Sequence, residues 1–289
     1  MENHKWYQDL VDQEISRLTN LHWDDWEAEL SGLKYSRDIP EILVSYPSNV
    51  YEISSNVDNA EGIWALIRAE KVSKILNDHG NKIIWEIGAG NGGMSIPLLK
   101  SGISTIAVEP IKAGAKALAK YGFTSYWGTL KDLNLPTDSI EVIGLFDVLE
   151  HIKDPQFLLE EVLRVLKPGG MLILTVPAHQ WLFSNFDVTC GHYRRYSKKL
   201  LKKTLADARF HRIKSRHFFS YLVLPALLLR RVPYLFGKRS SYAENSKNSK
   251  KHNKILSTLS RLVNFLSKIE DNIYLPIGLS IISVSFKEK

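Results

Sequence analysis

Eleven consecutive residues constrain this chain more than any others: Ile83-Ile84-Trp85-Glu86-Ile87-Gly88-Ala89-Gly90-Asn91-Gly92-Gly93. The apolar, β-branched run Ile83 to Ile87 predicts a buried strand. It stops in four glycines within six residues, and a helical pattern starts from Met94 to Leu99. A strand that breaks into a glycine loop and turns directly into a helix builds a ligand site. Glycines let the backbone approach the ligand closely, and the first turn of the helix presents unpaired N–H groups. The alternative is a tight strand-to-helix turn that binds nothing.

Two ligands fit these letters. Gly88, Gly90 and Gly93 match G-x-G-x-x-G with Glu109 about 20 residues on, as a dinucleotide site requires. Glu86 separates the readings, because it sets a carboxylate inside the strand end, two residues before the first glycine. A pyrophosphate is repelled there, whereas a ligand with an ammonium group is held. The E-x-G-x-G-x-G string resembles the first motif of class I S-adenosylmethionine-dependent methyltransferases. The resemblance implies S-adenosylmethionine as cofactor, its ammonium near Glu86 and its chain over Gly88, Ala89, Gly90 and Gly92.

From residue 82 onward strand and helix patterns alternate, which argues for a parallel sheet of βαβ units. Strands are expected at Ile83–Ile87, Thr105–Val108, Phe123–Trp127, Ile140–Phe146, Met171–Val176, Arg212–Phe219 and Leu279–Phe286. Helices are expected at Met94–Lys100, 111–120 and Pro155–Leu166, with another opening at Ser197. The expected fold is a doubly wound, Rossmann-like α/β domain over residues 81–289, with a mostly parallel seven-stranded sheet and a helical insertion at about 220–275. Residues 1–80 read as a helical extension, a lid or simple packing, with helical spacing over Asp58 to Lys74. In such sheets ligands sit at the carboxyl ends of the strands, and the candidate residues fall there.

Further segments carry the resemblance through residues 83–177. Glu109 ends the second strand, where the family's acid grips the ribose hydroxyls, and Pro110 and Ile111 would line the adenine face. Gly128-Thr129-Leu130 stands where the family often shows Gly-Asp-Ala. Thr129 accepts a hydrogen bond there but lacks the charge, and Asp132 is either a substitute or a helix cap. Phe146-Asp147-Val148-Leu149-Glu150-His151 resembles F-D-x-L-E-H, with Phe146 and Asp147 lining the cofactor and His151 a candidate base or a structural partner. Lys167-Pro168-Gly169-Gly170 matches the frequent K-P-G-G, read as a helix stop.

Beyond the fifth strand stands Asp187-Val188-Thr189-Cys190-Gly191-His192-Tyr193-Arg194-Arg195-Tyr196. Tyr193, Arg194, Arg195 and Tyr196 are candidates for an anionic or sugar-like acceptor. His192 is the leading base candidate, with Asp187 as its orienter. The alternative is a helix-entry loop whose arginines pair with acids of the N-terminal part. G-H-x-R-R-Y and the later Leu275-Pro276-Ile277-Gly278-Leu279-Ser280 resemble a small-molecule and lipid-precursor methyltransferase group of undefined acceptor. No Asn/Asp-Pro-Pro-Tyr follows the fourth strand, which favours an oxygen acceptor over an amino group.

Charge is divided unevenly. Residues 192–289 carry 22 Lys and Arg against five acids, while residues 1–191 carry 16 against 26. That asymmetry suggests an anionic partner for the C-terminal third, or a solvated basic face. Phe218 to Leu229 is apolar but too short to span a bilayer. Arg230-Arg231 and a basic segment from Lys238 to Lys254 follow it, and together they have the composition of an interfacial anchor. A homodimer contact and a substrate cap are the alternatives. One cysteine, Cys190, excludes a disulfide framework and a Cys-only zinc site, and no metal is assigned. The N-terminus lacks a signal-peptide pattern. The expectation is a cytoplasmic O-methyltransferase acting on a small or lipid-linked acceptor, peripheral to the inner membrane face. An RNA methyltransferase lacks a separate RNA-binding motif here, and a non-catalytic cofactor-binding regulator remains the non-enzymatic reading.

Overall fold

The computed structural model describes residues 9–14, 26–30, 33–36, 63–239, 260–273 and 275–289, with side chains for all but 26–30, 33–36 and 260. Its strands are β1 (Trp26–Leu30), β2 (Leu33–Ser36), β3 (Ile83–Ile87), β4 (Ser104–Glu109), β5 (Ser125–Trp127), β6 (Ile140–Phe146), β7 (Leu166–Pro177), β8 (His211–Phe218) and β9 (Ser280–Phe286). They form one sheet in the order β1-β2-β5-β4-β3-β6-β7-β9-β8. The pairs from β2 through β5, β4, β3 and β6 to β7 are parallel, and β9 runs antiparallel to both β7 and β8. The expected seven strands are therefore present. The β1–β2 hairpin adds two more beside β5, in a segment whose sequence suggests helix and irregular chain.

Alternation along the strands sorts the core onto two faces. Trp85, Ile87, Leu172 and Leu174 join one apolar cluster, together with Leu159 and Val162 of α4 (Gln156–Val165) and Leu201 and Leu205 of α6 (Lys198–Asp207). Ile84, Ile173 and Ile282 join the other, against Ile67, Val72 and Leu76 of α1 (Ile63–Asp78) and Val263 of α8 (Ser260–Asn272). A sheet covered on both faces needs strands that are apolar throughout, and all six residues of β4 are buried. Further helices are α2 (Ser95–Lys100), α3 (Lys112–Lys120), α5 (Asn185–Thr189) and α7, a helical run from Val223 to Leu235 with a π turn at Leu227–Arg231, beside a short helical segment over residues 9–14.

Local chemistry accounts for several boundaries. Ser197 caps α6, its hydroxyl accepting the Leu200 N–H at 3.1 Å. The K-P-G-G segment does not stop the helix alone: it lies inside the extended run of β7 as an irregularity, pairing slipping between Ile140↔Leu166 and Val142↔Met171. Gly278 in the L-P-x-G-L-S segment has a packing reason, since a Cβ there would lie 2.5 Å from the Phe218 carbonyl oxygen. The insertion is tied down by Glu270, which accepts the N–H groups of Phe219 (2.9 Å) and Ser220 (2.7 Å). Lys71 of α1 pairs with Asp271 of α8, joining the N-terminal helix to the insertion. Most of the basic segment from Lys238 to Lys254, residues 58–62 and Trp6 and Trp23 fall outside the described residues.

Candidate active site

Where β4 turns to one side of β3 and β6 to the other, a cavity of about 840 Å³ opens at the strand ends. One wall is the loop after β3. Gly88 takes φ +74, and a Cβ there would meet Val148 Cγ2 at 2.8 Å, so only glycine leaves the passage clear. Glu86 is fully buried and accepts a hydrogen bond from Ser95 Oγ. Burial outweighs that bond, and with the Glu109 charge nearby it pushes the Glu86 carboxyl up to about 8. Glu109 ends β4, its two carboxylate oxygens accepting the N–H groups of Gly90 (2.7 Å) and Ile111 (2.9 Å).

Ala89, Pro110, Thr129, Leu130, Phe146 and Asp147 also line this half of the cavity. Gly92 does not: at φ +92, a Cβ would press on Leu118 at 3.0 Å and on Ile96 at 3.1 Å, so its reason is packing. Asp132 is a local cap, its Oδ2 accepting from Thr129 N (2.7 Å) and Thr129 Oγ1 (2.6 Å). Asp147 stands at φ +56, a strained backbone for a side-chain-bearing residue. Thr175 Oγ1 donates to it at 3.1 Å, and Arg68 pairs with its other oxygen. Arg68 and Trp64 reach the cavity from α1 and are the residues sequence reasoning missed here. The available signal was an arginine one residue past Ile67, within the helix's apolar spacing.

The other half holds the acceptor-side candidates. Asp187 is completely buried and takes four donors: Ser184 N (2.8 Å) and Ser184 Oγ (3.1 Å) on Oδ2, and His192 Nδ1 (2.9 Å) and Arg195 Nε (2.7 Å) on Oδ1. Burial alone would raise this carboxyl, but the His192 hydrogen bond and the Arg195 guanidinium bring it down to about 2. An ionised Asp187 can only accept, so the neutral His192 ring carries its hydrogen on Nδ1 and keeps the lone pair on Nε2. His151 packs edge-on against His192 with centroids 4.6 Å apart. Burial and the neighbouring His192 push His151 down to about 3. Glu150 has no exposed surface, and neither carboxylate oxygen has a hydrogen-bond partner. Burial first and Asp147 second hold its carboxyl well above the usual range.

Tyr193 and Arg195 line the cavity, whereas Arg194 and Tyr196 are turned from it. Arg194 donates to the Lys153 carbonyl at 2.6 Å, and the buried Tyr196 hydroxyl donates to the Leu149 carbonyl at 3.3 Å. Arg230 departs most from expectation. Rather than facing outward as an interfacial charge, it lines the cavity and stacks over Phe186 at 4.4 Å, while Arg231 donates to the Phe183 carbonyl at 2.7 Å. Its signal was masked in the sequence by the adjacent apolar run.

These features define a class: a doubly wound sheet whose glycine loop and two strand-end carboxylates face one cavity. A family model described as a methyltransferase domain matches residues 65–227, and the chain belongs to that family. S-adenosylmethionine is the cofactor of the class, and the residues present fit it. Glu86 would hold its ammonium, Glu109 its ribose diol, and the Gly88 passage has room for no side chain. An S-adenosylmethionine-dependent methyltransferase from Thermotoga maritima, described as a possible histamine N-methyltransferase, shares the fold with a TM-score of 0.54. It is 19% identical and aligns over 83% of this chain and 96% of its own. The Haemonchus contortus phosphoethanolamine N-methyltransferase 2 aligns with a TM-score of 0.50 at 15% identity, over 87% of this chain and 62% of its own. Among sequences, an uncharacterised methyltransferase of Mycobacterium leprae is 27% identical over 126 residues, covering 41% of this chain and 47% of that protein. A ubiquinone biosynthesis O-methyltransferase of Bradyrhizobium is 27% identical over 118 residues, covering 39% and 46%. The chain thus spans about half the length of these two sequence relatives.

Proposed function

We propose that this protein transfers the methyl group of S-adenosylmethionine to an oxygen of a small or lipid-linked acceptor. The observation that carries the reading is His192 on the wall of the same cavity that Glu86 and Glu109 line, its Nδ1 2.9 Å from the buried Asp187. S-adenosylmethionine supplies an electrophilic sulfonium methyl; the acceptor oxygen forms the new C–O bond as the C–S bond breaks, its electrons passing to sulfur. The protein's share is orientation, water exclusion and removal of one proton. Asp187 fixes the His192 ring so that Nε2 accepts the hydroxyl proton, and Arg195 keeps Asp187 ionised. Trp64 and Arg68 of α1, with Arg230 of the insertion, line the cavity and would act as a lid over a bound cofactor.

A lipid-linked acceptor is favoured by the outer surface. Leu224, Leu228, Leu229, Leu235 and Phe236 are exposed on and just beyond α7, next to Lys238 and Arg239, as are Leu262, Phe265 and Ile269 on α8. Among the described residues no helix is long and apolar enough to cross a membrane, so the contact proposed is peripheral, with an anionic leaflet. The test incubates the protein with radiolabelled S-adenosylmethionine and host extract, then partitions the label. Label in the organic phase, lost in His192→Ala while cofactor affinity holds, supports the reading. Tight cofactor binding with no transfer to any fraction would move the assignment to a regulatory cofactor-binding protein.

A further inference from the structure

One group in the cavity is left without a task by proton removal at His192. Glu150 is wholly buried on the 3₁₀ turn Leu149–His151 after β6, and both its oxygens lack a hydrogen-bond partner. A buried carboxyl with no donor calls for a missing partner. Two imidazoles stand close enough to share one. One ligating atom each from Glu150, His151 and His192 lie within 4.8 Å of one another. We propose that Glu150, His151 and His192 bind a divalent transition-metal ion at the acceptor end of the cavity.

The donor set suits the assignment. Two imidazoles and one carboxylate are the ligands of open zinc sites and of other first-row divalent metals, whereas magnesium and calcium prefer all-oxygen sets. The outer shell is also in place. His192 is oriented through Nδ1 by Asp187, which leaves Nε2 to ligate, and the Gly191 backbone hydrogen-bonds the His151 ring. Metal-bound histidines characteristically donate their second ring N–H to such a carboxylate or carbonyl. Three protein ligands leave a position open towards the cavity, where Tyr193 and Arg195 also stand. Sequence spacing does not reveal the set, because Glu150 and His151 are adjacent and His192 lies beyond β7 and α5.

This inference rests on the methyltransferase reading and changes one step of it. With an ion held there, it would supply a Lewis acid that eases loss of the acceptor hydroxyl's proton, and the His192 ring would serve as ligand instead of base. Without the ion the same ring takes the proton itself.

The full-length protein, stripped with a chelator, is titrated with Co²⁺ and followed by visible d–d absorption. One equivalent per chain is expected, displaced by Zn²⁺ and not by Mg²⁺. Glu150→Gln and His151→Gln, each checked for native circular dichroism, should each weaken binding at least tenfold. Asp187→Asn should weaken it by roughly 10–100-fold through the second shell. Absence of saturable binding, or unchanged binding in both ligand variants, overturns the site. S-adenosylmethionine affinity measured on the same samples separates the two claims. Cofactor bound without cobalt sinks the metal alone, whereas cobalt bound without cofactor keeps the metal and sinks the methyltransferase reading.

Discussion

At Glu86 a single buried carboxyl would couple proton binding to the cofactor binding proposed for it. Its value near 8 comes mainly from burial, with Glu109 adding repulsion and Ser95 and Arg68 opposing it. The unfolded chain releases this proton near pH 4.5 and the folded chain near 8. Stability from this group therefore falls as pH rises between those values and is lowest above them. Cofactor affinity runs the other way, because an ammonium ligand selects the ionised form. Calorimetric titration should show S-adenosylmethionine binding tightening as pH rises towards about 8, by up to about tenfold per pH unit. Glu86→Gln should flatten that profile and weaken binding at high pH by about 10–100-fold, the worth of a charged hydrogen bond. Gly88→Ala tests the neighbouring passage. The left-handed backbone at φ +74 costs a side chain about 1–2 kcal/mol, and the new Cβ also meets Val148. Thermal unfolding should fall and cofactor affinity with it.

The described helices α1, α7 and α8 do something their periodicity does not disclose. In α8 the buried stripe is Val263, Ser267 and Glu270, while Leu262, Phe265 and Ile269 face outward. Helical spacing in the insertion does not reveal which side the helix buries, because Glu270 is held inward by the N–H groups of Phe219 and Ser220. Strands were more legible: Ile83–Ile87 and Ile140–Phe146 match their predicted bounds, since apolar runs leave no other place for a doubly covered sheet. Cofactor-side residues were legible for the same reason, being fixed to strand ends. Arg68 and Arg230 were not, because each reaches the cavity from a segment distant in sequence, and Glu150, though inside the quoted F-D-x-L-E-H segment, carries no sign there that its carboxyl is buried without a partner. Replacing Leu262, Phe265 and Phe236 together by serine should leave unfolding unchanged. It should reduce co-sedimentation with phosphatidylglycerol vesicles severalfold, and added salt should weaken what remains. Unchanged vesicle binding, or a loss of dimer mass in sedimentation instead, would assign this face to a second copy of the chain.

On the scale of the whole molecule, one end of a twisted sheet gathers two kinds of chemistry. Glu86, Gly88 and Glu109 line one half of the cavity, where the proposed function puts the electrophile, and His192 and Arg195, backed by the buried Asp187, line the half it gives to the acceptor. Charge follows the same division, with the acidic part of the sequence building the cofactor half and the basic part supplying Arg195, Arg230 and the exposed surface. Together these halves are proposed to methylate an oxygen. The most direct measurement uses S-adenosylmethionine labelled with carbon-13 at the methyl, incubated with protein and host extract, the product methyl being read by NMR. The account predicts a methyl resonance in the methoxy region, present with the native protein and lost with His192→Ala. A methyl resonance on nitrogen, or one undiminished in the variant, would contradict it.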